Sequence, residues 1–410
     1  MKLKIAVIGG AWLVTRTVLL LELFRVWPLP GSDVAFDVQF IYHGWYEVLR
    51  SGTFPQTDVT WQYPPAAALA VLSPGLLPFL GYAPAFFALS CLTDAVVFAA
   101  LLVAGRRAGR SGSGAWLWVA GLPLLGPIVY ARYDLMVTAV AVAALLVAAR
   151  LPRTAGALAG FGALLKVWPV LLLIGVARGR RTRAAWGAAA VTALAVALLA
   201  VASMPGAFSF LTFQRDRGTE VESLGALVFH MARHFGWGGH VRYTYGSVEF
   251  IGPYVAVVSR CALALTVLAF GGLLLWRLRA RRFTARTPFD AAFAAVLLFT
   301  TTSRVISPQY VVWLIGLAAV CLTTRTTRQR LPAVLVLIAA PLTQLEFPVW
   351  FSHVSHSDWQ GVVPLALRNG LLVAATVIAC GRLWRETVAE PRERAPLPRP
   401  DDRTPAALVP

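Results

Sequence analysis

The sequence predicts an all-α polytopic membrane protein, a bundle of about 12 transmembrane helices, and three observations carry that expectation. First, 58% of the 410 residues are hydrophobic and 14% are charged, with a mean hydropathy of +0.67. A soluble domain of this length needs far more polar surface. Second, apolar runs of about 18 residues or more recur, long enough to cross a bilayer core of roughly 30 Å. Backbone in lipid must satisfy its own hydrogen bonds, so these runs are read as helices; the alternation of barrel strands is not seen. Third, arginines cluster in the short stretches between the runs, the positive-inside pattern. That pattern accounts for the formal charge of +18 without nucleic acid, which is not an expected partner.

The elements follow in order. Lys2 and Lys4 resemble the charged start of a signal peptide, but no small-residue cleavage site follows, so about 5–25 is read as the first membrane helix, leaving from a cytoplasmic N-terminus. Residues 26–81 form a long extracytoplasmic stretch. Within it, Phe36 to Leu49 is amphipathic, with Phe36, Phe40, Trp45, Val48 and Leu49 apolar and Asp37 and His43 polar; it reads as a helix on the membrane surface. After Tyr63-Pro64-Pro65, a modestly apolar segment to about residue 80 reads as a second surface helix, because a span there would invert the charge rule at Arg106, Arg107 and Arg110. Further spans are expected at about 82–104, 115–130, 134–150, 184–203, 251–276, 288–302, 307–323, 331–347 and 365–383. Residues 154–177 are flanked by basic clusters yet are too short for two crossings at about 1.5 Å per residue. They read as a broken hairpin that lines a cavity. A second extracytoplasmic loop occupies 204–250, and 386–410, rich in Pro, Arg and acidic residues, reads as a disordered cytoplasmic tail. Cys91, Cys261, Cys321 and Cys380 sit in apolar runs at no metal-ligand spacing and read as small buried hydrophobes.

The candidate chemistry lies at the outer ends of the helices. Asp37 in the first loop is either a general base, able to take a proton from a hydroxyl, or a helix cap; Asp33 lies one helical turn earlier. Arg132-Tyr133-Asp134, Lys166 in the broken hairpin, and Ser303-Arg304 before Ser307-Pro308-Gln309-Tyr310 place positive charge where a phosphate can be held. The bland alternatives are an Arg132–Asp134 pair and side chains that reach out to the interface. Lys166 stands apart, alone in an apolar run, and an intramembrane charge is a functional hypothesis by default. Arg16 and Asp94 are expected to meet as a buried pair. The second loop carries Arg215, Asp216, Arg217, Glu220 and Glu222, then Arg233, His234, His240 and Arg242, either a partner-binding or a solvated surface. His353, His356 and Asp358 lack a clear further ligand for a metal.

The order of these motifs, an acidic first loop, Tyr63-Pro64-Pro65, Arg132-x-Asp134, Lys166-x-Trp168-Pro169 and Ser307-Pro308-Gln309-Tyr310, resembles glycosyltransferase family 87 over roughly residues 5–385. That family belongs to the GT-C superfamily of membrane enzymes, and the likeness is greatest to its actinobacterial mannosyl- and arabinofuranosyltransferases. The resemblance implies an inverting transferase that moves a single sugar, mannose first among the candidates, from a polyprenyl monophosphate to an envelope glycolipid or glycan on the outer face of the membrane. It implies Asp37 as general base with Asp33 as rival, and Arg132, Lys166 and Arg304 at the donor phosphate. It places Tyr42, Tyr63, Glu220, Glu222, Gln309 and Tyr310 in the donor and acceptor pocket. Two departures stand out: Gln62 replaces a glutamate common before Tyr-Pro-Pro, and Arg304 replaces a lysine, which keeps charge but changes geometry. The first loop has no Asp-x-Asp, so no metal cofactor is expected; the lipid-linked sugar is a substrate and membrane lipids are the surroundings. The competing class is a multi-helix transporter or lipid-linked glycan flippase, which fits the helix count but lacks the related halves such folds show.

Overall fold

The computed structural model of the chain describes residues 2–215 and 217–388, so the tail expected over 386–410 lies outside the described residues from 389 on, while Glu386 and Thr387 belong to the last helix. The first helix, α1 (Lys2–Leu23), is followed by an outer segment. There one wide helical turn, Asp37–Tyr42, runs into α2 (His43–Arg50), and α3 (Ala67–Leu72) passes into a tight turn, Ser73–Leu76. Trp45 and Leu49 face the protein while Phe36 and Phe40 stay exposed, the split expected of an amphipathic helix. The alanines of α3 bury Ala67, Ala68 and Ala70 and leave Leu69 outside.

The membrane part continues with α4 (Tyr82–Gly105), α5 (Ser113–Leu125), α6 (Asp134–Val147), α7 (Pro152–Leu165) and α8 (Arg180–Ser203). Between α7 and α8 lies a 3-10 turn, Trp168–Gly175. Among the described residues six helices are long and apolar enough to cross a bilayer, and the protein is an integral membrane protein. Helices α7 and α8 run side by side at close approach. A Cβ on Gly156 would stand 2.0 Å from the Ala185 carbonyl, and one on Gly160 2.3 Å from that of Ala189. This is the small-residue packing that holds helices together where lipid gives no hydrophobic drive.

The second long loop, expected over 204–250, is folded. It holds α9 (Phe210–Arg215), β1 (Thr219–Glu220), α10 (Ala226–Arg233), β2 (His240–Thr244) and β3 (Ser247–Ile251), the strands forming an antiparallel sheet in the order β1-β3-β2. Thr244 pairs with Ser247 across a two-residue turn, Tyr245-Gly246, in which both residues have positive φ (50° and 76°). That backbone matches the twist of a hairpin. The following helix, α11 (Val255–Arg279), therefore starts later than expected, because residues 247–251 are spent on the strand.

The remaining helices are α12 (Thr287–Thr302), α13 (Tyr310–Leu322), α14 (Arg330–Gln344), α15 (Phe351–His356) and α16 (Trp359–Thr387). Helices α12 and α13 form the centre of the bundle, buried from Phe289 to Leu297 and from Val311 to Cys321. With 16 and 13 residues they reach only about 20–24 Å, short of a bilayer core. Their link, 303–309, therefore lies at membrane depth, and it packs inside the protein with Val305, Ile306 and Ser307 buried.

The basic clusters gather at one end of the bundle. Arg325 donates to the Arg110 carbonyl at 2.8 Å, Arg178 to the Arg277 carbonyl, Arg286 to the Thr326 carbonyl, and Arg382 to the Arg328 carbonyl. Midway along α4, α1, α4 and α5 share the expected Arg16–Asp94 pair. Arg16 Nε lies 2.7 Å from Asp94 Oδ2, and Trp118 Nε1 and Tyr130 Oη each donate to the carboxylate at 2.6 Å, with Trp12 Nε1 at 3.3 Å. Both partners are sealed from solvent (1% and 0% exposed). Removing one partner of such a pair leaves a buried charge unpaired. Asp94→Ala is therefore expected to cost about 3–5 kcal/mol, read as a lower unfolding temperature in detergent. The double change Arg16→Met with Asp94→Leu should recover most of the loss; an Asp94→Ala variant as stable as the parent contradicts this reading.

Candidate functional site

Two prolines shape the site. Pro169 has no N–H to return to the Leu165 carbonyl, so α7 ends there and Lys166 adopts extended backbone. The freed Leu165 carbonyl takes a bond from Tyr133 Oη at 3.4 Å. Pro308 likewise cannot bond back to the Arg304 carbonyl, which instead receives the Glu220 N–H at 3.1 Å. Each break turns a polar side chain inward and ties the membrane core to another segment.

Around these breaks lies a cavity of about 420 Å³. Its polar wall is cationic: Lys166, Arg217 and Arg304, with Gln309 and Tyr310 beside them. Its apolar wall is Phe210, Leu211, Leu263 and Phe299. Leu211 and Leu263 are themselves more than half exposed, so the cavity opens toward the outside of α9 and α11. Lys166 Nζ sits 2.7 Å from Asp134 Oδ1, which also takes a bond from Trp313 Nε1 at 2.8 Å. The ammonium faces the rings of Tyr63, Tyr133, Tyr310 and Trp313 at 4.9–5.5 Å, an aromatic cage that favours a cation. Arg217 is held by Glu249 Oε1 at 3.3 Å and Ser247 Oγ at 2.8 Å, both on β3. Arg304 donates to the Gln214 carbonyl, and among the described residues no carboxylate lies within ion-pair distance of it. Its charge is therefore the least compensated in the cavity.

A second cavity, of about 270 Å³, is acidic: Asp33, Asp37, Glu220 and Glu222 line it with Arg132 and Tyr243. Arg132 Nη2 pairs with Asp37 Oδ2 at 2.6 Å, while its Nη1 donates to the carbonyls of Ala131 (2.7 Å) and Val34 (3.2 Å). The guanidinium is thus fixed on three sides and orients the Asp37 carboxylate. Oδ1 of Asp37 carries no protein hydrogen bond among the described residues. Asp33 is occupied differently: Oδ1 accepts the Ala35 N–H at 3.0 Å and Oδ2 faces Arg25 at 3.6 Å. Glu220 accepts from Ile306 N at 2.7 Å and Ser307 Oγ at 2.8 Å. Burial raises the carboxyl pKa of Glu220 and raises that of Glu222 further, to well above the ordinary range, with neighbouring carboxyls adding to Glu222.

The two cavities share Tyr63, Gly246, Ser307 and Gln309. The hairpin turn at Gly246 thus sits between a cationic chamber open to apolar surface and an acidic chamber.

Of the residues expected from sequence, Lys166, Arg304, Gln309 and Tyr310 meet in the cationic cavity, Asp33, Asp37, Glu220 and Glu222 meet in the acidic one, and Tyr63 lies between. Arg132, grouped by sequence with the phosphate residues, pairs with Asp37, and Asp134, its partner in the bland alternative, pairs with Lys166. Tyr42 lines neither cavity: its ring is buried against Trp45, Phe86 and Tyr133. Gln62 is buried, its amide donating to the Val59 carbonyl. His353 contacts Asp358 at 3.0 Å and His356 its own helix; no group of three or more His, Cys, Asp or Glu among the described residues is placed to hold a metal. Sequence reasoning named Arg217 only as part of a partner-binding or solvated loop surface, and it did not name Glu249. The alternation of Val248, Glu249 and Phe250 beside Tyr245-Gly246 was the available signal.

Three comparisons bear on this site. The profile of glycosyltransferase family 87 matches residues 61–308. No curated protein matches the chain. Among solved structures, the crystal structure of ArnT from Cupriavidus metallidurans bound to undecaprenyl phosphate is similar, at 16% identity over 94% of this chain and 77% of that one, with a TM-score of 0.45.

The cationic cavity makes its own prediction. Inorganic phosphate at about ten times its Kd is expected to stabilise the purified protein by about 1.4 kcal/mol, read as a rise in unfolding temperature, and Arg304→Gln should remove that rise. Equal stabilisation of parent and variant places the anion elsewhere.

Proposed function

The chain belongs to glycosyltransferase family 87, and from that premise we propose that it moves one sugar, mannose first among the candidates, from a polyprenyl monophosphate donor to a hydroxyl of an envelope glycolipid or glycan. The observation that carries the reading is the junction of the two cavities at Tyr63, Gly246, Ser307 and Gln309. A lipid-linked phosphate needs positive charge beside apolar surface, which the first cavity supplies. A hydroxyl nucleophile needs a carboxylate, which the second supplies.

In the proposed reaction the donor phosphate lies against Arg304 and Arg217 with Lys166 behind them, and the tail leaves past Leu211 and Leu263. The acceptor oxygen attacks the anomeric carbon from the side opposite the phosphate. Its proton passes to Oδ1 of Asp37 as the bond to the phosphate oxygen breaks, and the phosphate departs with the bonding pair. One displacement inverts the anomeric centre. The arginines act on charge that grows on the leaving phosphate, where electrostatic stabilisation accelerates chemistry. Arg132 keeps Asp37 aimed at the junction. The basic clusters gather at the end of the bundle away from the cavities, which by the charge rule supports a cytoplasmic location for both chain ends and an extracytoplasmic site. The chemistry proposed uses charges of the chain alone.

Membranes carrying the protein, given labelled polyprenyl-phosphate mannose and a lipid extract, should yield a labelled product. Asp37→Asn should lower transfer by about 10²–10⁴-fold with normal insertion, and Arg304→Gln should raise the donor KM more than it lowers kcat. A chelator should leave the rate unchanged. Transfer by Asp37→Asn at the parent's rate sinks the base assignment; silence with mannosyl and arabinofuranosyl donors alike sinks the donor class.

A further inference from the structure

The back wall of the acidic cavity holds a second, fully buried charged group. Glu346, just beyond α14, and Arg368 on α16 are both 0% exposed. Arg368 Nε donates to Glu346 Oε2 at 3.1 Å and its Nη2 to Oε1. The same guanidinium reaches the Glu222 carbonyl at 3.1 Å and the Ile306 carbonyl at 3.4 Å, and Asn369 Nδ2 adds a bond to the Glu222 carbonyl at 3.4 Å. The main chain of Glu222 is therefore pinned, which fixes where its side chain lies.

That side chain is 5% exposed and lines the cavity. The carboxylate of Glu346 is held on the same guanidinium nitrogen that binds the Glu222 carbonyl. An ionised carboxylate sealed from water needs donors on its oxygens, and neighbouring carboxylates supply none, so burial there favours the protonated form. Oε1 of Glu222 agrees: it is sealed from solvent and no protein donor reaches it. Carboxyls crowd Glu222, and the cation behind it, Arg368, bonds the Glu222 carbonyl and the Glu346 carboxylate. Glu220 precedes it on β1, Glu346 and Arg368 stand behind, and Asp33, Asp37 and Arg132 lie across the cavity. His230 of α10, bonded to the Val221 carbonyl at 2.8 Å, has its pKa pushed down to about 4 by burial and contributes no charge at neutral pH. Arg368 is already taken up by Glu346.

We propose that Glu222 works as a neutral carboxylic acid beside the Arg368–Glu346 pair, so that Asp37 is the carboxylate of the cavity left with an oxygen free for the acceptor's proton. The proposal deepens the transferase reading and rests on it for its consequence in catalysis. Glu220 has both oxygens engaged, Asp33 is taken up by Ala35 and Arg25, and Glu222 carries no charge. Glu222 is a positioning residue: it completes the cavity wall without adding a negative charge beside Asp37. Raising the pH removes the proton of Glu222, places that charge next to Asp37 and the incoming donor, and lowers the rate.

The test has two readouts on the purified full chain. Infrared difference spectra between neutral and alkaline pH should show the loss of a protonated-carboxyl C=O band in the parent, and Glu222→Gln should lack that band change. This readout needs no substrate, so it decides the protonation of Glu222 even if the donor class is wrong. In the transfer assay, the amide of Glu222→Gln imitates the neutral acid. This variant should keep at least about tenfold more transfer than Asp37→Asn and lose the alkaline decline of the parent. A band change that survives Glu222→Gln, or a Glu222→Gln variant as inactive as Asp37→Asn, overturns the proposal.

Discussion

Glu220 binds the link between α12 and α13 three times: its N–H to the Arg304 carbonyl at 3.1 Å, and its carboxylate to Ile306 N at 2.7 Å and Ser307 Oγ at 2.8 Å. The rest of the site depends on this clamp. The central helices are too short to cross a bilayer, so their link runs as irregular backbone at membrane depth, where every unpaired polar group is costly. Glu220 satisfies that backbone from the outer loop. In doing so it carries β1 and the β2–β3 hairpin down onto Arg304, Ser307 and Gln309, brings Arg217 into the cationic cavity, and sets Glu222 in the acidic one. The outer loop and the membrane core become one surface with two chambers.

The charges in those chambers are sorted by what neutralises them. Lys166 has Asp134 and four aromatic rings, Arg217 has Glu249, and Arg132 has Asp37. Arg304 makes its close bond to a backbone carbonyl, so an anion in its cavity gains most there. On the acidic side Asp37 differs from its neighbours in having one oxygen fixed and one open. A buried pair such as Arg368–Glu346 adds little net stability in itself, but it pins the main chain at Glu222 and Ile306 and so holds the wall of the site in register.

Much of this was legible in the sequence where a signal is local. Hydropathy located the helices, and Pro169 beside Lys166 marked the broken hairpin. The Arg16–Asp94 pair was legible because lone charges in apolar runs must find each other. The partner of Arg132 was not: Asp134 is near in sequence, but α6 turns it toward Lys166, and the helix start at Asp37 supplies the carboxylate. The hairpin was missed because its alternation is brief and sits among charges that read equally well as a solvated loop. Arg217 and Glu249 are buried only because Glu220 pulls that loop inward, a tertiary fact with no local signature. Tyr42 misled for the opposite reason, since its sequence neighbour Asp37 faces the cavity while its own ring turns into the core.

The account's central claim is that a lipid phosphate and an acceptor hydroxyl meet where the two cavities join. A structure with a non-transferable polyprenyl-phosphonate sugar bound addresses it most directly. The account requires the phosphorus beside Arg304 and Arg217, the lipid leaving past Leu211 and Leu263, and the anomeric carbon facing Asp37. A phosphorus held on Arg132, or at the arginine-rich end of the bundle, contradicts it.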